Sequence, residues 1–211
     1  MGRPASSVTL VAVTKQVSAE VMRQAIGLGI TDVGENRVQE ARVKREALTG
    51  AAARWHLIGH LQRNKAKLAA MLFDVVHSVD TPELAGELGR HAQASGRVRD
   101  ALIQVNVSGE ATKHGCRPEA AQRLAETVLA TAGLRWRGLM TIAPVAQDAE
   151  QARPHFRRLR ELRDELAHAL GADRAALQLS MGMSQDFEVA IEEGADLVRI
   201  GSAIFQLAEE G

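Results

Sequence analysis

The 211-residue chain has no tyrosine at all, a single cysteine, and an aromatic content of 3%. One thiol, Cys116, excludes an internal disulfide framework and a zinc cluster built on thiolates. Charge of one sign is also missing, since 26 basic side chains face 26 acidic ones. Without a net field the chain has no general means of holding nucleic acid, and only a local basic patch could do so. No stretch approaches the roughly 20 apolar residues of a membrane-spanning helix. The N-terminus, MGRPASSVTL, has no apolar core of the kind a signal peptide carries. A cytoplasmic protein with neither nucleic-acid nor membrane partners is therefore the expectation. What the chain does have is ordinary: 45% hydrophobic and 25% charged residues, which suits a folded globular protein with a sizeable core.

Lysine is the scarce cation, with five lysines against 21 arginines. That scarcity draws attention to Lys15, at the end of VTLVAVTKQ. The others fall in helix-like segments (Lys44, Lys65, Lys67) or a polar loop (Lys113). A short β-branched apolar run followed by Thr14 and Lys15 reads as a buried strand delivering an amine to its carboxyl end. An amine desolvated there becomes nucleophilic, as Schiff-base chemistry requires. A solvated lysine just past a strand is the plainer alternative.

The remaining chain alternates. After the first strand, Ser18 caps a helix carrying Val21, Met22, Ala25 and Ile26 on one face, ended by Gly27 and Gly29. Further strands are expected at Ile30–Asn36, Trp55–His60, Phe73–Thr81, Ala101–Gly109, Leu134–Pro144, Leu177–Gly182 and Ala195–Gly201. Helices are expected at Arg37–Leu48, Gln62–Met71, Pro82–Ser95, Pro118–Ala132, Asp148–Leu170 and Ser184–Gly194, with a short one at the end. Asp80 or Thr81 caps the helix that starts at Pro82. Eight strand–helix units with short connections and no linker predict one α/β domain over residues 1–211, a parallel sheet closed into a (β/α)8 TIM barrel rather than left open.

In such a barrel chemistry collects at the carboxyl ends of the strands, and a phosphate site is commonly built by the loops after strands 7 and 8. SMGMS, Ser180 to Ser184, and GSAIF, opening on Gly201 and Ser202, occupy those loops; glycine allows close approach and backbone N–H groups point outward. Ordinary turn glycines with serine caps would look the same. Taken with Lys15 and an inward Arg199, the loops suggest a phosphorylated aldehyde held as an imine, a description that pyridoxal 5'-phosphate (PLP) fits. A metal is not expected, because the seven histidines are scattered and His56 and His60 straddle a strand end. Arg63, Lys65 and Lys67 read as a solvated helix face.

The stretches LVAVTK, VGENRVQEA, WHLIGHLQRNK, HSVDT, QVNVSGEATKHG, GLMTIAP and LSMGMSQDFEVAIEEGADLVRIGSAIF span nearly the whole chain. In them the sequence resembles the PLP homeostasis protein family, single-domain relatives of the N-terminal barrel of alanine racemases. The resemblance implies that Lys15 carries the internal aldimine and that Ser180, Met181, Gly182, Met183 and Ser184 hold the phosphate with Gly201 and Ser202. It also implies that Arg199 faces the pyridine nitrogen and that Asn36 sits near the ring. Family members carry a further helix ahead of the first strand. Here the strand begins at about Val8, so that helix is expected to be missing and the barrel bottom less covered. The loop reading KHGC adds Cys116, with no assigned role.

Arginine cannot protonate the ring nitrogen, which leaves PLP a weak electron sink. A racemase of this architecture also needs a tyrosine from an additional domain. A PLP carrier with little or no turnover, serving PLP-dependent apo-enzymes and acting as a monomer, is the expectation. A PLP-dependent amino-acid racemase or lyase is the alternative, and a cofactor-free aldolase-like barrel acting on a sugar phosphate stands behind it.

Overall fold

In the computed structural model, which describes residues 4–205, every expected strand is present and all pair in parallel. The order is β1-β2-β3-β4-β5-β6-β7-β8, with β1 returning to pair with β8, so the sheet closes. The strands are β1 Thr9–Val13, β2 Asp32–Glu35, β3 Arg54–Leu57, β4 Val75–Val79, β5 Arg99–Gln104, β6 Leu134–Met140, β7 Gln178–Met183 and β8 Leu197–Ile200. The helices between and after them are α1 Ala19–Gly27, α2 Val38–Ala47, α3 Ala66–Leu72, α4 Pro82–Ala94, α5 Ala121–Ala130, α6 Arg153–Leu170, α7 Phe187–Glu192 and α8 Ser202–Phe205.

Strand alternation separates two apolar regions. Leu57, Val76, Ile103, Leu139, Leu179, Met181 and Val198 point outward and meet the helices, among them Phe156, Leu159 and Leu162 of α6. Val11, Ile58, Val75, Leu102, Met140 and Leu197 form a separate, smaller cluster inside the barrel. Several further inward positions are polar, among them Asp32, His56, His77, Gln104, Ser180 and Arg199, each 8% exposed or less. A barrel interior is packed with side chains rather than open, so these polar groups must satisfy one another.

Expected boundaries differ from the observed ones chiefly at strand ends. β3 stops at Leu57 rather than His60, β5 at Gln104 rather than Gly109, and β6 at Met140 rather than Pro144. Apolar residues continue past those ends, but there they line the barrel mouth, and the backbone leaves the ladder to form loops. β6 also carries a bulge: Trp136 pairs with Ala101 and Gly138 with Leu102, so Arg137 is the additional residue. α6 and α7 begin later than expected. Asp148 caps a separate 3-10 turn, Ala149–Ala152, and α7 starts after Asp186 accepts the Met183 N–H (2.6 Å). The caps expected at Ser18 and Thr81 are observed, accepting from Val21 N and Leu84 N. No helix among the described residues is long and apolar enough to cross a membrane.

Candidate functional site

The carboxyl ends of the strands surround a cavity of about 1540 Å³. Of the residues expected at the site, Lys15, Asn36, Met183, Ser184, Arg199, Gly201 and Ser202 line it together. The two loops expected to act jointly do meet, since the Gly201 N–H points to Ser184 Oγ at 3.4 Å. Gly201 also lies against β1: a Cβ there would come within 3.1 Å of Val13 Cβ. This close approach brings the β8 loop beside the strand that carries Lys15.

Ser180, Met181 and Gly182 are elsewhere. Ser180 and Met181 are fully buried, the first facing the barrel interior and the second the helical layer. Gly182 has φ +93, and a Cβ there would meet Ala190 Cβ at 2.6 Å, so this glycine lets α7 pack on β7. Strand alternation explains the split, because only the last residues of β7 clear the barrel rim.

Lys15 itself is exposed at the mouth, as the plainer of the two sequence readings has it, rather than desolvated among apolar walls. Its backbone, however, is held on both sides. Thr14 N donates to Gly34 O (2.9 Å), Thr14 Oγ1 donates to Glu35 Oε1 (2.6 Å), and Thr14 O accepts from Lys44 Nζ (2.6 Å). On the other side Gln16 takes a left-handed φ of 64, and its N–H donates to Glu40 Oε1 at 2.8 Å. Lys44 links the two halves, donating to Glu35 Oε1 (2.8 Å) and Glu40 Oε1 (2.7 Å). Burial pushes the Glu35 carboxyl up against the pull of Lys44 and Thr14. Neither Glu40 nor Lys44 was expected from sequence to take part in the site. An i, i+4 Glu–Lys pair usually marks a solvated helix face, and here Lys44 turns under β1.

Arg199 sits at the cavity floor, 3% exposed. Nη1 donates to Ser180 Oγ at 2.6 Å and Nη2 to Thr141 O at 2.8 Å. Burial pulls its guanidinium down to about 10, which leaves it charged at neutral pH. Asn36 is positioned by Gly59, where any Cβ would overlap the Asn36 carbonyl oxygen.

At the rim, His60 and His114 stack with centroids 3.9 Å apart, and His60 Nδ1 lies 3.6 Å from Asp80 Oδ2. The three could offer ligand atoms within 4.8 Å of one another. The imidazole planes are nearly parallel, at 8°, so their in-plane lone pairs cannot both reach one ion unless a ring turns. Cys116 is half-buried beside them, and burial together with the Asp80 charge pushes its thiol up to about 12, which makes it inert. Arg63 and Lys67 are exposed, as expected of a solvated face, whereas Lys65 is half-buried.

The comparisons agree with this geometry. The alanine racemase N-terminal domain profile matches residues 2–209. The pyridoxal phosphate homeostasis protein of Aquifex aeolicus is 46% identical over 204 residues, covering 97% of this chain and 89% of its own. That of Pseudomonas aeruginosa is 45% identical over 211 residues, covering 100% and 89%. Among solved structures, PipY of Synechococcus elongatus with PLP bound superposes with a TM-score of 0.85 at 36% identity, covering 97% of this chain and 94% of that one. A D-threonine aldolase from Filomicrobium marinum, at 20% identity and a TM-score of 0.79, shares the fold. By closed barrel, domain match and identity along nearly its whole length, the chain belongs to the alanine racemase N-terminal domain family and, within it, to the pyridoxal phosphate homeostasis proteins.

Proposed function

We propose that this chain binds PLP and holds it in reserve, with Lys15 as the covalent anchor and little or no turnover. The observation that carries this reading is the convergence of Lys15, Arg199 and the β7 and β8 loops on one cavity. Support comes from relatives named for PLP homeostasis and from a neighbour solved with PLP bound. When bound, PLP supplies an aldehyde that condenses with amines and a ring that withdraws electrons.

The residues present suit that group. Lys15 Nζ is the amine at the mouth. Ser184, Gly201 and Ser202, with Met183 beside them, would hold the phosphate through hydroxyl and backbone N–H donors, while Ser180, Met181 and Gly182 stand behind and fix the loop. Asn36 would flank the ring. Arg199 would face the ring nitrogen, and a guanidinium with donors only keeps its own proton there. That limits electron withdrawal, and the sequence contains no tyrosine to act as an opposite base. The 211 residues would act as one unit and as a monomer, in the cytoplasm, exchanging PLP with PLP-dependent apo-enzymes.

The test is borohydride reduction after loading with PLP, followed by peptide mapping. A pyridoxyl mass on Lys15 and loss of the visible band in Lys15→Ala are expected; label on another lysine would overturn the assignment. Deuterium incorporation at Cα across a panel of amino acids should stay at background. Rapid exchange would instead establish the racemase or lyase reading.

A further inference from the structure

A continuous hydrogen-bonded chain crosses the barrel interior beneath the cavity and links the wall formed by β7 and β8 to that formed by β2, β3 and β4. Arg199 Nη1 donates to Ser180 Oγ at 2.6 Å. Ser180 Oγ lies 2.9 Å from His77 Nδ1, His77 Nε2 lies 2.8 Å from His56 Nδ1, and His56 Nε2 lies 2.8 Å from Asp32 Oδ1. Ser180, His56 and His77 are fully buried.

The two ends determine every proton between them. A guanidinium can only donate, and an ionised carboxylate can only accept. Asp32 accepts, so His56 carries its hydrogen on Nε2 and leaves Nδ1 bare. His77 must then donate from Nε2, which leaves its own Nδ1 bare. The Ser180 hydroxyl donates to that nitrogen and uses a lone pair for Arg199. Four gaps receive four hydrogens. An added proton on His56 would set two N–H groups facing each other across 2.8 Å, and one on His77 would take from the Ser180 hydroxyl its acceptor.

We infer that Asp32, His56, His77 and Ser180 form a one-directional relay of positioning residues, whose role is to fix the orientation of the Arg199 guanidinium at the cavity floor. Purely structural packing would not need a polar chain here, because apolar side chains of similar volume fill the neighbouring inward positions. What the relay adds is direction. Nη1 is engaged by Ser180 and Nη2 by Thr141 O, which fixes the plane of the fork and leaves its remaining donor capacity to the cavity. The consequence for a ligand rests on the PLP reading: the ring nitrogen would meet a donor locked in place, with no proton to receive from below.

The experiment has two readouts. In the ligand-free protein, long-range 15N–1H correlation at the histidine rings should show both His56 and His77 as Nε2–H tautomers; an Nδ1–H tautomer or an imidazolium at either position would overturn the relay, whatever the ligand. In the PLP-loaded protein, Ser180→Ala should weaken PLP about tenfold and shift its visible band, since a hydrogen bond to a charged group is lost. Ser180→Thr, which restores the hydroxyl, should recover both. If the tautomers are as assigned but Ser180→Ala leaves affinity and spectrum unchanged, the positioning role is wrong. Failure of borohydride to label Lys15 in the wild-type protein would instead sink the PLP reading and leave the tautomer result standing.

Discussion

Lys15 is an ordinary exposed lysine in its side chain and an unusual one in its backbone. Thr14 and Gln16 are both tied to a carboxylate–ammonium cluster in which Glu35 is fully buried and the Lys44 side chain is 9% exposed. The cluster holds a left-handed residue, Gln16, next to the proposed anchor Lys15, a conformation that a non-glycine side chain adopts at a cost. Removing one partner of a buried pair leaves the other uncompensated. Lys44→Met is therefore expected to lower stability by about 3 kcal/mol in urea titration and to slow the reaction of Lys15 with PLP. An unchanged denaturation midpoint would show that Glu35 is neutral and needs no partner. Lys15 was readable from sequence because the strand pattern ends on it. The clamp was not, because Glu35, Glu40 and Lys44 lie on β2 and α2 and meet Thr14 and Gln16 only through the packing of those elements.

At the scale of elements, the capped starts of α1 and α4 were readable, whereas the starts of α6 and α7 and several strand ends were not. Caps are local chemistry: Thr81 accepts from Leu84 N just ahead of Pro82, and Thr81→Ala should cost about 1 kcal/mol by thermal melt. Strand ends depend on where the neighbouring strands stop, which residues in one window cannot report. The bulge in β6 shows this most clearly. Gly138 has φ +132, and a Cβ there would overlap the Gln178 carbonyl oxygen of β7. Trp136 Nε1 donates to Gly138 O at 3.0 Å, which fixes the bulge from its other side. Gly138→Ala should destabilise the barrel by about 3 kcal/mol, combining backbone strain with overpacking. Substitution of Gly27, where a Cβ meets nothing within 4 Å, serves as the control and should be nearly neutral.

For the whole molecule, the polar barrel interior couples folding to pH. Burial holds the His56 imidazole below its usual range despite the pull of Asp32, and burial with nearby positive charge holds His77 well below it. The unfolded chain takes up these protons near pH 6.5, whereas the folded chain does so only at lower pH. More protons bind the unfolded state, so stability should fall as pH drops below about 6.5, by up to roughly 1.4 kcal/mol per pH unit for each histidine. Asp32 adds a loss of the same sign at lower pH. Burial would raise it, but hydrogen bonds from His56 and Thr31 win, so its contribution is present above about pH 3.9 and lost as pH falls through its depressed folded value. Glu35 has the opposite sign: its raised carboxyl binds a proton earlier in the folded state and offsets part of the loss. Urea midpoints measured between pH 8 and 5 should show the decline for wild type and a shallower one for His77→Gln. Equal slopes would mean that His77 titrates normally in the folded protein.

Much of the architecture and part of the candidate site follow from the amino-acid sequence by itself. Eight apolar runs separated by amphipathic helices can bury both sheet faces only in a parallel sheet with short crossovers, and Lys15, Ser184, Gly201 and Ser202 fall at strand ends by simple counting. What only the tertiary structure decided is which strand-end residues clear the rim and which turn inward. Ser180 looked like a phosphate ligand because it opens the SMGMS segment, expected in the loop after the seventh strand, yet strand alternation sends its hydroxyl into the barrel to meet His77 and Arg199. Asp32, His56 and His77 carried no recognisable spacing, since their neighbours lie on other strands. Barrel closure brings them together: it fixes the stagger between strands, and stagger is a property of all eight pairings at once rather than of any one segment.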